Sequence, residues 1–203
     1  MKKLLFLFLP AALLLSFSVP SGSLTKEERE NAVKSLKETK ANLLHSVKDL
    51  SDAQLNFKAA PERWSIKECV EHITLAEKGL WQMDEASLKA AATPEKRSEI
   101  KITDDGLMKM IIDRSQKQTA PEPFRPEKYQ AAEFKDVVKD FTAQRDELIE
   151  YVKKTDEDMR NHTVTMPFGT LDSYQLVLMI SGHCNRHTQQ INEVKADPNY
   201  PKN

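Results

Sequence analysis

Four long stretches of the chain carry apolar side chains three and four residues apart, which is the spacing of one face of an α-helix. Three of these stretches begin with a capping box, in which a Ser, Thr or Asp is followed three residues later by Glu or Gln. The pairs are Thr25 with Glu28, Ser65 with Glu68, and Asp172 with Gln175. Each stretch must bury its apolar stripe against another, so the pattern predicts an all-α four-helix bundle.

The spacing predicts long helices over about 25–50, 65–91, 130–154 and 172–197. The connection between the second and third contains a short helix over about 104–117, followed by Pro121, Pro123 and Pro126, where the chain cannot be helical. A crossover this long lets its flanking helices run in the same direction. The loop 155–170 carries the turn sequence Met166-Pro167-Phe168-Gly169, and few segments alternate in the way strands do.

The first residues have the pattern of a secretory signal peptide. Met1-Lys2-Lys3 is positively charged, Leu4 to Phe17 is nearly all apolar, and small polar residues follow up to Ser23. The apolar run is shorter than the ~20 residues that a membrane-spanning helix needs. We therefore expect cleavage after Ser18 or Ser23 and an extracytoplasmic, periplasmic or secreted protein; an uncleaved N-terminal membrane anchor is the alternative. No Cys follows the run, which excludes a lipoprotein.

The predicted domain organisation is therefore a signal peptide at 1–23, a bundle domain at 24–197 and a short tail at 198–203. The formal net charge is -1, without a basic cluster, so we expect no nucleic-acid partner. We also expect no stable membrane association once the signal peptide is removed. The sequence contains no Gly-rich phosphate loop, no G-x-S-x-G and no H-E-x-x-H motif.

Three histidines fall on the apolar stripes. His183 and His187 are four residues apart on the fourth helix and therefore project from one face, and His72 is on the inward stripe of the second helix. A single His on such a stripe is usually a core residue, but two are harder to explain because each buried imidazole needs partners for its nitrogens. Three imidazoles from two helices predict a divalent metal site, for Zn²⁺, Ni²⁺, Fe²⁺ or Cu²⁺, with an open coordination position.

Three further residues, Gln190, Cys69 and Cys184, lie on the same two helices as these histidines. Gln190 lies on the same face as His187, where it orients a ligand imidazole or a metal-bound water, or fills a polar gap in the core. Cys69 is one turn before His72 and is a weaker candidate for a fourth ligand. We expect Cys69 and Cys184 to be free, buried thiols, with a disulfide as the alternative.

The pattern also predicts the surroundings of the two remaining histidines and of two residues on the second helix. His45 and His162 are expected to be structural or exposed. On the second helix, Met83 is expected to face inward, whereas Glu71 is expected to be solvated.

Two motifs resemble the DinB/YfiT-like superfamily. Trp64-Ser65-Ile66-Lys67-Glu68 followed by His72 resembles its second-helix signature, and His183-x-x-x-His187-x-x-Gln190-Ile191 resembles its fourth. The resemblance covers about 24–195. It implies an up-down-down-up bundle that holds a divalent metal on His72, His183 and His187.

The resemblance also implies a choice of activities. Members are described as metal-dependent hydrolases or as thiol S-transferases that use bacillithiol or mycothiol, and the name does not imply DNA binding. This chain departs from those relatives in its signal peptide, because such thiols are cytosolic. A metal-dependent hydrolase acting on a small-molecule substrate is therefore the first expectation, although no general base stands out. The alternatives are an S-transferase and a non-catalytic metal-binding bundle, and a homodimer is left open.

Overall fold

The computed structural model describes residues 23–130 and 133–202. The predicted signal peptide therefore lies outside the described residues, apart from Ser23. The elements in chain order are α1 (Lys26–Ser46), α2 (Asp52–Asn56), α3 (Ile66–Lys89), a 3₁₀ turn (Pro94–Glu99), α4 (Asp104–Ile112), 3₁₀ turns at Glu122–Phe124 and Pro126–Lys128, α5 (Phe134–Lys154), β1 (Thr163–Met166), β2 (Gly169–Asp172) and α6 (Ser173–Lys195).

The four long helices α1, α3, α5 and α6 form a four-helix bundle with up-down-down-up directions. Contacts between helices show this, because α1 and α6 run in parallel, α3 and α5 run in parallel, and each of these pairs is antiparallel to the other. The contacts are Ser35 with Ser181 and Lys195 with Ser46 (α1 to α6), Thr74 with Gln144 and Trp81 with Tyr151 (α3 to α5), and Arg29 with Val152 and Lys40 with Asp146 (α1 to α5).

The helix starts agree with the capping chemistry. All three predicted capping boxes are formed with both of their hydrogen bonds, and a fourth starts α2 at Ser51 with Gln54. The third long helix has no such box, and it begins at Phe134 after Glu133, which makes no side-chain cap, rather than at residue 130. Among the four long helices, the start that was predicted wrongly is therefore that of α5, which has no capping side chain.

Two helices end earlier than predicted. The first ends at Ser46 instead of about residue 50, and Asp49 then adopts a positive φ of 55°. The short helix α4 ends at Ile112 instead of residue 117, because Asp113 is extended and its carboxylate accepts hydrogen bonds from the backbone N–H and hydroxyl of Ser115. Asp favours such local bonds over continuation of a helix.

The loop predicted over 155–170 contains a two-stranded hairpin. β1 pairs antiparallel with β2, and the predicted turn sequence joins them, with Gly169 at a φ of 140° that favours glycine. The strands are four residues each, which is too short for alternation to be recognised in the sequence. Their pairing continues into the cap of α6, since Thr163 faces Asp172.

The inward face of α3 differs from its predicted stripe at two positions. Met83 is 38% exposed, because the buried face passes instead through Glu77, Leu80 and Asp84. Glu71 is buried rather than solvated; Lys67 Nζ lies 3.9 Å from its carboxylate, and the 3₁₀ turn at Pro126–Lys128 packs against α3. The hydrophobic pattern did not predict the direction of this face, because some of its buried residues carry carboxylates.

A fully buried ion pair crosses the middle of the bundle. The Arg145 guanidinium of α5 donates to both oxygens of Glu77 on α3, at 2.7 and 2.5 Å. It also donates to the Leu36 carbonyl and the Thr39 hydroxyl of α1, at 3.0 and 2.8 Å. One side chain thus connects three helices. Within the described ranges, no helix is long and apolar enough to cross a membrane.

Candidate metal centre

The structure brings together the three histidines that the sequence singled out. His72 reaches the site from α3, and His183 and His187 reach it from consecutive turns of α6. The Nε2 atom of His183 lies 3.1 Å from Nε2 of His72 and 3.2 Å from Nε2 of His187. One ligand atom from each ring lies within 4.8 Å of the others. Three nitrogens therefore converge on one point between two helices.

The opposite nitrogens of two rings are already occupied. His72 Nδ1 donates to the Phe124 carbonyl at 2.6 Å, and His187 Nδ1 donates to Gln190 Oε1 at 2.9 Å. A carbonyl can only accept, so His72 carries its proton on Nδ1 and presents the Nε2 lone pair to the site. Such partners fix the tautomer and the orientation of a metal-binding imidazole. The orienting role expected for Gln190 stays a prediction, and this contact is the geometry that it requires.

Burial keeps the three imidazoles neutral. It is the largest influence on each, and it lowers the pKa of His72, of His183 (to about 3) and of His187. The neighbouring rings and the Arg114 and Arg186 guanidiniums lower the pKa of the α6 pair further. Neutral imidazoles are the form that binds metal ions, because a protonated ring nitrogen has no lone pair to give.

The converging nitrogens fit a divalent metal. Ligands at Zn–N distances of about 2.0–2.1 Å in a tetrahedron are roughly 3.3 Å apart, close to the 3.1 and 3.2 Å between the Nε2 atoms here. Three neutral imidazoles suit Zn²⁺, Ni²⁺ or Fe²⁺, and three protein ligands are typical of sites that leave one position open. As whole residues, His72 and His187 are buried and His183 is intermediate in exposure.

Comparison with known proteins places the chain in a family. The model of the DinB superfamily matches residues 35–191, a range that includes all three histidines. The chain belongs to the DinB superfamily. YuaE of Bacillus subtilis (strain 168), an uncharacterized protein, is 25% identical over 162 residues, which are 78% of this chain and 93% of YuaE.

The solved structure of YfiT from Bacillus subtilis shares the fold. It superposes with a TM-score of 0.58 at 15% identity, covering 85% of this chain and 89% of YfiT. YfiT is described as "a probable metal-dependent hydrolase with an unusual four-helix bundle topology". At this identity the likeness concerns the fold, and it agrees with the up-down-down-up bundle described above.

Several residues around this DinB histidine cluster were not predicted as part of the site. The Trp64 ring, which comes from the residue before the N-cap of α3, lies 4.7 Å from the His72 ring and 5.8 Å from the His187 ring, and forms a wall. Phe124 contributes a backbone carbonyl from the Pro-rich crossover, and Arg114 approaches Gln190 from the same crossover. A backbone carbonyl has no sequence signature, so only the folded crossover reveals it.

Gly79 lets the crossover approach α3 at this point. A Cβ atom built on Gly79 would lie 2.8 Å from Cζ of the Phe124 ring, closer than real Cβ contacts come. The absent side chain allows the ring to rest on the helix, seven residues after His72 in the chain. The position of the Phe124 carbonyl therefore depends on a glycine on the helix that carries His72.

The other candidate residues lie away from the cluster. Cys69 and Cys184 are free and buried, and Cys69 is not among the converging groups. His162 is buried, with Nδ1 donating to the Ser87 carbonyl at 2.7 Å, and His45 is exposed on α1, as expected for structural or surface histidines. Two grooves of about 350 and 330 Å³ flank α1, and none of the three histidines lines either of them.

Proposed function

We propose that this DinB superfamily protein is an exported metal-dependent enzyme of the hydrolase type. His72, His183 and His187 hold one divalent metal ion, and one coordination position remains open to water and a small-molecule substrate. The observation that carries the proposal is the convergence of three Nε2 atoms, two of them on rings whose Nδ1 atoms are bound to acceptors.

Each protein group has a defined part in this proposal. A divalent metal held by these residues would act as a Lewis acid toward a substrate, and Zn²⁺ would lower the pKa of a bound water to about 7. The Phe124 carbonyl and Gln190 hold two imidazoles in the tautomer that binds metal. Trp64 covers the rings of His72 and His187, which keeps bulk water from that side of the cluster.

Hydrolysis is favoured over thiol transfer by the proposed export. The N-terminal sequence has the charge and length of a signal peptide, and a hydrolase needs only water outside the cytoplasm. The description of YfiT as "a probable metal-dependent hydrolase" supports the same class. Export is tested separately, by fractionating expressing cells and sequencing the mature N-terminus; a chain that keeps residues 1–23 and stays in the cytoplasm would reverse this preference.

The experiment begins with elemental analysis of protein purified without a His tag or added metal. We expect close to one equivalent of a divalent transition metal, lost in His72→Ala, His183→Ala and His187→Ala and kept in His45→Gln, the exposed control on α1. Ester, amide and phosphoester substrates are then tested with the loaded and the chelated protein.

The two parts of this experiment separate the alternatives. Metal-dependent hydrolysis that disappears in the three site variants supports the proposal. Turnover only when a low-molecular-weight thiol and an electrophile are supplied would replace it with the S-transferase. Full metal binding with no turnover of any kind would leave the non-catalytic bundle.

A further inference from the structure

A chain of polar contacts leads from the crossover to His187. Arg114, just after α4, donates Nε and Nη2 to the two carboxylate oxygens of Glu193 at 2.6 and 2.7 Å. Its Nη1 approaches Gln190 Oε1 at 3.4 Å. The same oxygen lies 2.9 Å from His187 Nδ1. The contacts thus connect Glu193, Arg114, Gln190 and His187 in that order, with the Arg114 side chain 19% exposed.

We propose that Arg114 is a positioning residue for the metal site. By donating to Gln190 Oε1, it keeps that oxygen turned toward His187, so that His187 carries its proton on Nδ1 and presents the Nε2 lone pair to the metal. The inference deepens the proposed function and rests on it, since the lone pair matters only if a metal binds there.

The side-chain amide of Gln190 has two chemically different ends. Gln190 can present either Oε1 or its NH₂ group to His187, and the two ends impose opposite tautomers. If the NH₂ group faced His187, Nδ1 would have to accept, and the ring proton would move to Nε2, where the metal binds. A guanidinium has donors only, so Arg114 is compatible with Oε1 and not with the NH₂ group. Arg114 therefore selects the amide orientation that metal binding needs.

His72 provides a contrast within the same cluster. Its Nδ1 faces the backbone carbonyl of Phe124, an acceptor that has no alternative orientation. The tautomer of His72 is thus determined by the backbone alone, whereas the tautomer of His187 depends on a side chain that can flip. A second group that fixes the orientation of an amide, here Arg114, is therefore needed only at His187.

The surroundings hold Arg114 in this position. Glu193 binds it with both oxygens, one turn after Gln190 on α6. Arg186, next to His187, donates to the carbonyls of Ile111, Asp113 and Gln116, and so fastens the segment that carries Arg114 to the same helix. Arg63 Nη2 lies 3.7 Å from Glu193 Oε2, the oxygen that also accepts from Arg114 Nη2.

The test reads the His187 tautomer in metal-free protein by long-range ¹H–¹⁵N NMR at about pH 8, where a histidine of ordinary pKa is neutral. The wild type is expected to show the Nδ1–H tautomer only. Arg114→Met, which keeps an unbranched apolar stem but has no donor, is expected to give a mixture with the Nε2–H tautomer. Arg114→Lys keeps a donor and should retain the wild-type tautomer. Arg63→Met is the matched control, because Arg63 contacts Glu193 and not Gln190.

A double variant separates orientation from general loss of packing. Gln190→Glu replaces the amide with a carboxylate, both ends of which accept. In Arg114→Met with Gln190→Glu, the Nδ1–H tautomer should return although Arg114 is absent. The Zn²⁺ affinity should fall about tenfold in Arg114→Met, the lower end of the effect of partners of metal ligands, and recover in the double variant. A wild-type tautomer in Arg114→Met, or an equal loss in Arg63→Met, would overturn the proposal.

The two readouts also distinguish this proposal from the metal site itself. If the His187 tautomer depends on Arg114 but the protein binds no metal, the orienting contact is supported. Its role in metal binding is then overturned together with the proposed function. Tight Zn²⁺ binding by the wild type, unchanged in Arg114→Met, would leave the proposed function in place and overturn the role of Arg114 alone.

Discussion

Asp84, far along α3 from the histidines, shows how a single buried side chain can make the stability of this bundle depend on pH. Its side chain is fully buried, and within 23–130 and 133–202 neither oxygen has a hydrogen-bond partner of acceptable geometry. Burial raises the pKa of Asp84 from 3.8 to about 8; the Ser173 hydroxyl lowers it and the Asp172 carboxylate raises it further. Asp84 is therefore protonated in the folded protein near neutral pH.

The folded state then binds a proton that the unfolded chain releases, between pH 3.8 and about 8. The stability contribution of Asp84 is fully present below that window and is lost as the pH rises through it. We expect the free energy of unfolding to fall by roughly 1 kcal/mol per pH unit between about pH 5 and 7. Asp84→Asn should remove this slope.

Urea denaturation of both proteins across this range measures the effect, with Asp105→Asn on the exposed side of α4 as control. Parallel pH profiles for the wild type and Asp84→Asn would show that the buried carboxyl is not protonated on folding.

At the same scale, the sequence predicted the three histidines and Gln190 because side-chain type and helical spacing are written in it. It could not predict their acceptors. Phe124 acts through its backbone carbonyl, and Arg114 is one charged residue among many on an irregular segment. Both reach the site through the path of the crossover, which local periodicity does not encode.

At the scale of elements, the crossover rests on α3 through Gly79, and this contact can be tested. Gly79→Ala places a methyl group against the Phe124 ring. Displacement of the ring should move the carbonyl that binds His72 and so weaken Zn²⁺ binding several-fold. Overpacking should also destabilise the fold by a net ~1 kcal/mol, since the higher helix propensity of Ala offsets part of the cost.

A double-mutant cycle identifies the cause. Phe124→Ala keeps the carbonyl and removes the ring, so adding Gly79→Ala to it should cost nothing further in Zn²⁺ affinity. The affinity is measured by competition with a chelator. An equal loss from Gly79→Ala in the presence and absence of the ring would exclude the steric explanation.

Helix starts that are marked by a capping side chain were predictable from the sequence. The three capped helices begin where their capping boxes place them, and the crossover correctly implied parallel flanking helices. The start of the uncapped α5 and the hairpin were not, because a helix start without a side-chain acceptor and strands of four residues leave too little local pattern. The early end of α4 depends on Asp113, whose side chain competes with the helix.

At the scale of the whole molecule, the Arg145–Glu77 pair joins three of the four long helices. Removing one partner of a buried pair leaves the other charge without compensation, which costs about 3–5 kcal/mol. We expect Arg145→Met to lower the free energy of unfolding in urea by this amount. Arg145→Met with Glu77→Leu should recover much of it, because neither charge remains. A single variant within about 1 kcal/mol of the wild type would contradict a fully desolvated pair.

The central claim is that three imidazoles bind one metal and leave a position open. X-ray absorption spectroscopy of the zinc-loaded protein tests it most directly, because multiple scattering counts imidazole ligands and the first shell distinguishes sulfur from nitrogen or oxygen. We predict about four light-atom ligands at ~2.0–2.1 Å, three of them imidazoles, with one imidazole lost in His187→Ala. A shell that contains sulfur, or fewer than three imidazoles in the wild type, would contradict the account.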